Sequence, residues 1–366
     1  MRILTYGLAT DKLAGIETFL LNMNRFMSAE TVFDYVIEGE QTIHQAAIDE
    51  KGGKCFFISP KRKMLRNLRD WCRVLKQNKG TCGAVYFNMY SLAWSVPIFL
   101  ARLYGYRVVV HAHNNNLHDC RALLRMLHKC NKQLLKPMKI TRLTNSTLSS
   151  AFFFGKKKAE MIYNAIDLQR FTFSKTAREA IRRELGWEEK NIYGFSGRIV
   201  VGKNPLFLMQ VFAEISKLDP NAAFLVCGDG NMRAETENLA RSLELSVHFA
   251  GSCVNIQDYY CAMDAFLLPS LAEGLGLVLI EAQTAGLPSV TSADVVPNEA
   301  KVTELLEYVS LEQSAEHWAK RCVDKLLHAP KQREPYAAIV GATPFDIRNE
   351  APRLGQILCG ETPNEK

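Results

Sequence analysis

The stretch IYGFSGRIVVGKNPLFLMQVFAEISKL, residues 192–218, contains one complete strand–loop–helix unit. Its first six residues are an apolar run typical of a buried strand, and a glycine-containing loop follows. From residue 204 onward the apolar side chains recur at helical spacing, which predicts an amphipathic helix that ends near 218. Units of this kind build parallel sheets, because parallel strands need a crossover connection.

The same alternation of short apolar runs and longer amphipathic segments extends along the whole chain. It predicts parallel sheets covered by helices on both faces. The runs fall into two series, so we predict two doubly wound α/β domains, each binding ligands beyond the carboxyl ends of its strands. The predicted strands are 2–7, 33–39, 54–59, 84–88, 107–113 and 140–146 in the first series, and 192–197, 223–228, 246–251, 265–270 and 288–292 in the second.

The chain length also favours two domains, since 366 residues exceed what one hydrophobic core normally organises. The first series of strands ends with YNAIDLQRF, and the charged segment TFSKTAREAIRRELGWEEKN leads into the second. We therefore predict an N-terminal Rossmann-like domain at 1–168 and a C-terminal one at 169–343. The remainder, 344–366, carries a helical pattern that we expect to pack back on the N-terminal domain.

Composition indicates a globular cytoplasmic protein, with 48% hydrophobic and 23% charged residues. The start of the chain, MRILTYGLATDKLAGIE, lacks the apolar run of a signal peptide. The ten cysteines include no CxxC pair, which favours reduced thiols over a disulfide framework or a zinc site. Pro97 and Arg102 interrupt the mostly apolar stretch 87–106, so we predict a buried helix near 91–104 and not a membrane span.

Charge is distributed unevenly along the chain. Residues 1–170 hold 26 Lys and Arg against 12 Asp and Glu, whereas the remainder holds 19 against 26. Two stretches, 59–79 and 120–139, interleave Leu, Met or Trp with basic residues at helical spacing. This pattern suits helices that lie on acidic lipid headgroups, although each could also be the solvated face of an ordinary surface helix. Nucleic acid is not an expected partner, because no recognised nucleic-acid motif accompanies the charge.

Two loops of the second series carry groups suited to phosphate. In FSGRIVVGKNP, 195–205, Arg198 and Lys203 lie beyond the carboxyl end of a predicted strand. An arginine can bind two phosphate oxygens and a lysine adds a mobile charge, so the pair suits a diphosphate; the alternative is two solvated cations. In VCGDGNM, 226–232, Gly228 and Gly230 would let main-chain N–H groups approach a ligand, although a plain tight turn has the same sequence.

The segment EGLGLVLIE, 273–281, has a glutamate at each end. We predict a helix from about Leu277 to Ala285, preceded by Gly274 and Gly276, whose N–H groups would form an anion site at the helix N-terminus. Glu273 and Glu281 would then be at most about 12 Å apart along the helix. Carboxylates accept hydrogen bonds from hydroxyls, and a nucleotide sugar offers hydroxyls on its sugar and on its ribose. An N-terminal Glu and a buried, salt-bridged Glu would fit the same spacing.

The paired glutamates resemble the corresponding motif of retaining GT-B glycosyltransferases of family 4, also called group 1. The resemblance continues in order through SGRIVVGKN, VCGDG and FAGSCVNIQDYYCAMDAFLLPSLAEGLGLVLIEAQTAGLP, and the first half contributes AGIETFLLNMNR, VVVHAHNNN and MIYNAIDLQRF. It covers essentially the whole chain, and the similar proteins build bacterial capsular and extracellular polysaccharides. It implies a GT-B fold, in which an N-terminal acceptor domain and a C-terminal donor domain face each other across a cleft.

The resemblance also implies roles for individual residues. Arg198 and Lys203 would hold the donor diphosphate, Glu273 the hydroxyls of the donor sugar, and Glu281 the ribose. The base would lie against 228–230 and the loop near 251–257. The residues expected to bind the donor through the main chain or by close approach are Gly15, Gly228, Gly230, Gly274, Leu275, Gly276 and Leu277.

In the first domain, His113 resembles the active-site histidine of the family, which contacts the donor sugar or the attacking hydroxyl. His111 is the alternative, because its side chain has the same parity along the strand. The sequence departs from the family at two places. Ala14-Gly15 replaces a Gly-Gly pair, and Asn164-Ala165 replaces Asn-Gly; neither change removes a charge or a proton carrier.

The expected reaction is sugar transfer from a nucleoside diphosphate sugar, with UDP favoured by the similar proteins, to an acceptor hydroxyl with retention at the anomeric carbon. Catalysis would come from positioning and from stabilising the leaving phosphate. The chain has no DxD triplet, so we expect no metal and no cofactor. The expected acceptor is a lipid-linked saccharide of surface glycan synthesis, on an enzyme bound peripherally to the inner face of the membrane.

Two other classes remain open. A non-catalytic subunit of a glycosyltransferase pair would bind the sugar nucleotide without transferring the sugar. An epimerase should carry GxGxxG near its start and a YxxxK motif, and the chain has neither. A phosphorylase needs a pyridoxal lysine, for which the sequence offers no candidate.

Overall fold

The computed structural model describes residues 1–11, 15–114 and 121–361. Contacts divide the chain into two units, one formed by Met1–Ala165 together with the segment from Ile347, the other by Ile166–Asp346. The first division falls three residues ahead of the predicted boundary at 168, and the second falls three residues after 343. Each unit contains one parallel sheet with helices on its faces.

The first unit is organised around a seven-stranded sheet in which every strand pair is parallel. The spatial order is 3-2-1-4-5-6-7, so the order reverses between the first and fourth strands. The strands are β1 (Arg2–Tyr6), β2 (Val32–Glu38), β3 (Cys55–Ile58), β4 (Cys82–Met89), β5 (Arg107–Ala112), β6 (Thr141–Thr144) and β7 (Glu160–Met161). The helices between them are α1 (Gly15–Phe26), α2 (Gln45–Asp49), α3 (Met64–Gln77), α4 (Val96–Leu103), α5 (Ala122–Leu135) and α6 (Thr147–Phe154).

The second unit repeats this plan with a six-stranded parallel sheet in the order 10-9-8-11-12-13. Its strands are β8 (Asn191–Ser196), β9 (Ala222–Cys227), β10 (Val247–Gly251), β11 (Ala265–Leu268), β12 (Ser289–Ser292) and β13 (Leu306–Val309). Its helices are α7 (Lys175–Leu185), α8 (Pro205–Leu218), α9 (Arg233–Ser242), α10 (Ile256–Ala262), α11 (Leu277–Thr284), α12 (Ala315–Leu327) and α13 (Tyr336–Gly341), with 3₁₀ turns at Leu168–Phe171, Val201–Lys203 and Asn298–Ala300.

The last helix, α14 (Ile347–Cys359), belongs to the first unit although it follows the second in sequence. Its apolar face, including Leu354 and Leu358, is buried in the same core as Leu20 of α1. Glu350 of α14 accepts a hydrogen bond from the Tyr163 main chain at 2.9 Å. The first core is therefore completed only when the end of the chain returns to it.

The stretch 87–106 forms the end of β4 and the helix α4, whose residues Pro97, Ile98 and Ala101 are buried. Among the residues that the structure describes, no helix combines the length and the apolar character needed to span a bilayer. The two basic stretches form α3 and α5, as their helical spacing predicts.

The predicted strands are all present, with ends shifted by one or two residues in most cases. Two strands were not predicted. Strand β7 has only two residues, and β13, LEYV, lies at the edge of its sheet and contains a glutamate. The reversal of strand order opens a crevice between β1 and β4 in one unit and between β8 and β11 in the other, at the carboxyl ends of the strands.

Candidate functional site

A cavity of about 340 Å³ lies where the loops after β8, β9 and β10 meet in the second unit. We call it the second-unit cavity. Most of its wall comes from residues directly after strands, so the parallel topology brings these loops together. The cavity is lined by Ser196, Gly197, Arg198, Cys227, Gly228, Asp229, Ser252, Cys253, Ile256 and Glu281.

Main-chain hydrogen bonds hold these loops against one another. The Gly228 N–H donates to the Gly251 carbonyl at 2.7 Å, and the Gly197 N–H donates to the Cys227 carbonyl at 3.0 Å. Gly228 has φ of +143°, and a Cβ there would lie 1.9 Å from the carbonyl oxygen of Gly197. Only glycine permits this close approach of the two loops, so the glycine pattern after β9 is a requirement of the cavity wall.

Arg198 and Lys203 lie in the loop after β8, as predicted. The Arg198 side chain is exposed and lines the second-unit cavity. Lys203 forms an ion pair with Glu273, and both side chains are mostly buried. Glu273 also accepts a hydrogen bond from the Gly274 N–H at 3.2 Å. The structure thus joins a cation and an acid that stand 70 positions apart in the sequence.

Helix α11 begins at Leu277, the residue predicted, and Gly276 immediately before it has φ of +77°. The first turn of α11 leaves main-chain N–H groups without partners inside the helix, as every helix start does. A Cβ at Gly274 would meet no atom within 4 Å. The chain between Glu273 and α11 therefore has open space beside Gly274, whereas Gly276 lies close to Leu279.

Glu281, one turn inside α11, lines the second-unit cavity. Its Oε2 accepts a hydrogen bond from the Tyr260 hydroxyl at 2.8 Å. Burial raises the pKa of Glu281 to about 7, against the opposing effects of Tyr260 and of the positive charge of Arg170. No basic nitrogen of the described residues lies within 4.0 Å of the Glu281 carboxylate, so this glutamate is paired with a hydroxyl and not with a salt-bridge partner.

The first unit has a larger cavity, about 650 Å³, at the switch between β1 and β4. We call it the first-unit cavity. Its wall combines carboxylates, basic residues and large apolar side chains. The lining residues are Tyr6, Gly7, Leu8, Ala9, Thr10, Glu17, Glu38, Lys61, Arg62, Met64, Asn88, Met89, Tyr90, Ser91, Ala93, Trp94, Leu124 and Leu127.

His113 follows β5 directly and is partly exposed. Its Nε2 lies 2.8 Å from Oδ1 of Asn88, which lines the first-unit cavity. Asn88 donates its own amide to the Tyr6 carbonyl at 3.3 Å, so its oxygen faces the imidazole and accepts the proton on Nε2. Burial lowers the pKa of His113 to about 3, which keeps the ring neutral with its Nδ1 lone pair available.

His111 is fully buried and has a different environment. Its Nδ1 lies 2.6 Å from the Tyr86 hydroxyl, and its ring centroid is 4.0 Å from that of His113. Burial, together with His113, lowers the pKa of His111 well below its ordinary value. His111 therefore packs against His113 from the interior, and of the two rings only that of His113 is partly exposed.

Three further predicted residues do not line either cavity. Gly230 is in the loop after β9, Leu275 precedes the N-terminal turn of α11, and Gly15 is the first residue of α1. Of the two alanines at which the sequence departs from the family pattern, Ala14 is outside the described residues and Ala165 is buried in the first-unit core.

Sequence reasoning missed several contributors. Tyr260, which contacts Glu281, was not singled out, nor were Asn88 and most of the first-unit cavity. No local motif marks these residues, because they come together only through strand order. Within the described part of the chain, no group of three or more His, Cys, Asp or Glu side chains is arranged to hold a metal ion.

Several known glycosyltransferases are similar to this chain. Residues 177–338, almost the whole second unit, match the family described as glycosyl transferases group 1. The putative glycosyltransferase EpsF of Bacillus subtilis is 28% identical over 329 residues, which cover 84% of this chain and 83% of that protein. The Escherichia coli UDP-Gal:alpha-D-GlcNAc-diphosphoundecaprenol alpha-1,3-galactosyltransferase is 30% identical over 141 residues, covering 37% of this chain and 36% of that enzyme.

Among solved structures, HepE of Anabaena in complex with UDP is similar over 98% of this chain and 100% of that one. The TM-score is 0.78 at 18% sequence identity. The likeness establishes the fold, two Rossmann-like α/β domains of the GT-B type, and confirms the predicted fold class.

Proposed function

We propose that this chain is a group 1 glycosyltransferase of family 4 that transfers a sugar from a UDP-sugar to a lipid-linked saccharide with retention of anomeric configuration, a proposal supported by the match of residues 177–338. The observation that carries the proposal is that Arg198 lines the second-unit cavity, and that Lys203, paired with Glu273, lies next to Gly197 in the wall of the same cavity. Two cations suited to phosphate and an acid suited to sugar hydroxyls thus belong to the same unit as helix α11.

The donor diphosphate would bind between Arg198 and the start of α11. Arg198 is exposed at the cavity and can bind two phosphate oxygens, while the α11 N-terminus adds unpaired N–H groups and a positive dipole end. Lys203 already balances Glu273, and its ammonium could contact phosphate while keeping that ion pair. These groups favour the negative charge that grows on the diphosphate as the glycosidic bond breaks.

The two glutamates would fix the ends of the donor. Glu273, anchored by Lys203 and the Gly274 N–H, offers carboxylate oxygens to the hydroxyls of the transferred sugar. Glu281, which accepts from Tyr260, keeps lone pairs for the ribose hydroxyls. The base would contact Gly228, Asp229 and the residues around Ser252 that line the same cavity. UDP is favoured because HepE was crystallised with it and the E. coli relative is named for a UDP-sugar.

In the reaction, His113 would contact the donor sugar or the attacking hydroxyl. Because Nε2–H of His113 donates a hydrogen bond to Asn88, the neutral ring has Nδ1 as its hydrogen-bond acceptor. Attack would come from the face that the diphosphate leaves, and the leaving phosphate, held by Arg198 and Lys203, would receive the hydroxyl proton. We propose that no metal ion takes part. EDTA should then leave the transfer rate unchanged. Loss of sugar transfer in EDTA would contradict this account of how the leaving phosphate is stabilised.

The first-unit cavity supports the acceptor class. Lys61 and Arg62 stand beside Met64 and Leu124 in its wall, so basic groups suited to phosphate adjoin apolar side chains. A diphosphate-linked lipid saccharide presents the same two chemistries in sequence, and the E. coli relative is named for a diphosphoundecaprenol acceptor. We propose that this cavity receives the acceptor, in the synthesis of a capsular or other surface glycan.

The outer surface of the first unit supports contact with a membrane. The first turns of α3 and α5 expose large apolar residues together with arginines and lysines. Leu65 is 85% exposed and Leu123 is 59% exposed. Exposed apolar and basic groups on the same helices suit a peripheral location on anionic lipid at the cytoplasmic face.

The deciding experiment supplies the purified protein with UDP-, GDP- and ADP-sugars, first in a thermal-shift panel and then with diphosphoundecaprenyl-linked saccharides. We expect UDP-sugars to stabilise the protein and one of them to be transferred, with NMR of the product showing the donor's anomeric configuration. Binding without transfer to any acceptor would indicate the non-catalytic subunit instead. Stabilisation by none of the nucleotides would contradict the proposal.

A further inference from the structure

Two cysteines line the second-unit cavity and have no part in the proposed transfer. Cys227 is the last residue of β9 and is 2% exposed, whereas Cys253 follows β10 and is partly exposed. Both contribute to the wall of the cavity, together with their neighbours Gly228 and Ser252. Both thiols are free, so they remain available for chemistry at the wall of this cavity.

Strand pairing brings the two thiols together. Cys227 pairs with Gly251 in the β9–β10 register, and Cys253 is two residues further along. The Cys253 thiol donates to the Gly251 carbonyl at 3.4 Å, which turns its side chain back toward the strand end. The same Gly251 carbonyl accepts from the Gly228 N–H at 2.7 Å, so the Cys253 sulfur lies close to the Cys227–Gly228 peptide. The two cysteines are therefore neighbours in the wall of the second-unit cavity.

The two thiols differ in reactivity. The hydrogen bond from Cys227 and a second one from Tyr259 lower the pKa of Cys253 to about 7, although partial burial opposes them. The same hydrogen bond and burial raise the pKa of Cys227 well above its ordinary value. Cys253 is thus the more acidic and the more accessible of the two thiols, and Cys227 the less acidic one, which is the arrangement of an attacking and a resolving cysteine.

We propose that Cys253 and Cys227 form a modification site for peroxides, whose product is a reversible disulfide that closes the second-unit cavity. The Cys253 thiolate attacks one peroxide oxygen, the O–O bond breaks, and the products are a sulfenic acid and hydroxide. The Cys227 sulfur then attacks the Cys253 sulfur, the S–O bond breaks, and the hydroxide released takes the Cys227 proton to become water. In total two thiols and one hydrogen peroxide give one disulfide and two waters, and the peroxide is the two-electron oxidant.

The disulfide would change the shape of the cavity. It would tie the loop after β10 to the end of β9 and replace two separate thiols by a bond across the wall. The consequence for UDP rests on the proposed function, because the base is assigned to this wall. The thiol chemistry itself does not depend on it. Cytoplasmic disulfides are usually transient and regulatory, so a reductant such as a dithiol would restore the open cavity.

The test treats the full-length protein with hydrogen peroxide, alkylates the remaining thiols and maps the peptides. Trypsin alone leaves Cys253 and Cys261 in one peptide, but added cleavage before Asp258 separates them. We expect a cross-link between peptides 219–228 and 242–257 that dithiothreitol removes. In parallel, calorimetry should show UDP affinity falling by at least about tenfold on oxidation and returning on reduction.

Matched variants assign the effect. Cys253→Ser should abolish both the cross-link and the peroxide-dependent loss of UDP affinity, and Cys227→Ser should leave Cys253 to stop at a sulfenic or sulfinic acid. Cys130→Ser is the control, because Cys130 is exposed and has no role in either cavity. If peroxide leaves 227 and 253 unlinked in the wild type, the inference is wrong. If the cross-link forms but the reduced protein does not bind UDP, the proposed function fails and the thiol pair stands.

Discussion

The two units have the same architecture and differ in what their crevices contain. Both are parallel sheets whose strand order reverses once, and both open a cavity at the carboxyl ends of the strands there. The second-unit cavity is small, with glycine-rich walls, Arg198 and Glu281. The first-unit cavity has about twice the volume, with basic residues next to Met64, Trp94 and Leu124. The fold provides a crevice twice, and the loop residues decide which half of a reaction each crevice can serve.

The largest effect is expected in the second unit, where the proposed diphosphate site can be removed by substitution. Replacing Arg198 and Lys203 together by alanine removes both cations proposed to hold the leaving diphosphate. We expect kcat/KM to fall by about 10³-fold, since a single lost group of this kind costs about 10²–10³. Steady-state kinetics measures it.

Lys217→Ala is the control for that pair, because Lys217 lies on α8 in an exposed ion pair with Glu214. It should leave kcat/KM within about twofold of the wild type, since such exposed pairs contribute little. A similar loss in the control and the double variant would remove the argument for a specific diphosphate site.

The next effect tests the first unit alone. His113→Ala should lower kcat by about 100-fold, the scale of one positioned catalytic group, while the affinity for UDP stays unchanged. Calorimetry with UDP and turnover with the UDP-sugar separate the two quantities. His111→Phe should mainly destabilise the protein, because it leaves the buried Tyr86 hydroxyl without a partner at a cost of about 1–3 kcal/mol. If the two histidines exchanged these effects, His111 would be the active-site residue.

A third prediction concerns pH and Glu281. Its pKa is about 7 in the folded protein and 4.5 in a free chain, so between these values the folded state binds more protons. The contribution of Glu281 to stability is fully present below pH 4.5 and is lost as the pH rises through 7. Glu281→Gln cannot lose a proton, so its free energy of unfolding relative to wild type should rise by about 2 kcal/mol from pH 5 to 8. Denaturant titrations at both pH values measure this, and a constant difference would contradict the assigned burial.

The smallest effect on turnover concerns the membrane surface. Lys63→Glu with Arg66→Glu, at the exposed start of α3, should weaken sedimentation with anionic vesicles and leave transfer to a water-soluble acceptor unchanged. Lys175→Glu with Arg183→Glu makes the same charge change on α7 of the second unit. Equal loss of vesicle binding in the two variants, or wild-type binding that salt does not release, would argue against a specific basic face.

The sequence predicted the second-unit site better than the first because of how each is encoded. Arg198, Gly228, Glu273 and α11 lie in short stretches directly after apolar strands, so local patterns give their positions. The order 10-9-8-11 then brings the stretches together without further information. The Tyr260–Glu281 hydrogen bond was not predictable, because it joins two helices that only tertiary packing sets side by side.

The first-unit cavity shows the opposite case. Its residues come from 6–10 and 88–94, at the ends of β1 and β4, and singly or in pairs from the end of β2, the loop after β3, and the helices α1, α3 and α5. Periodicity could identify the strands but not which loop side chains converge. The Asn88–His113 hydrogen bond depends on strand order in the same way. Knowledge of the strand order therefore adds most to the prediction of a site when its residues do not form one contiguous motif.

The central claim is that the second unit binds a diphosphate through Arg198 and Lys203. Calorimetry of UDP and of uridine, with the wild type and the Arg198→Ala/Lys203→Ala variant, tests it most directly. We predict that wild type binds UDP at least about 100-fold more tightly than uridine, and that the double substitution nearly abolishes this difference while uridine affinity stays the same. A difference between UDP and uridine that survives the substitutions would contradict the claim.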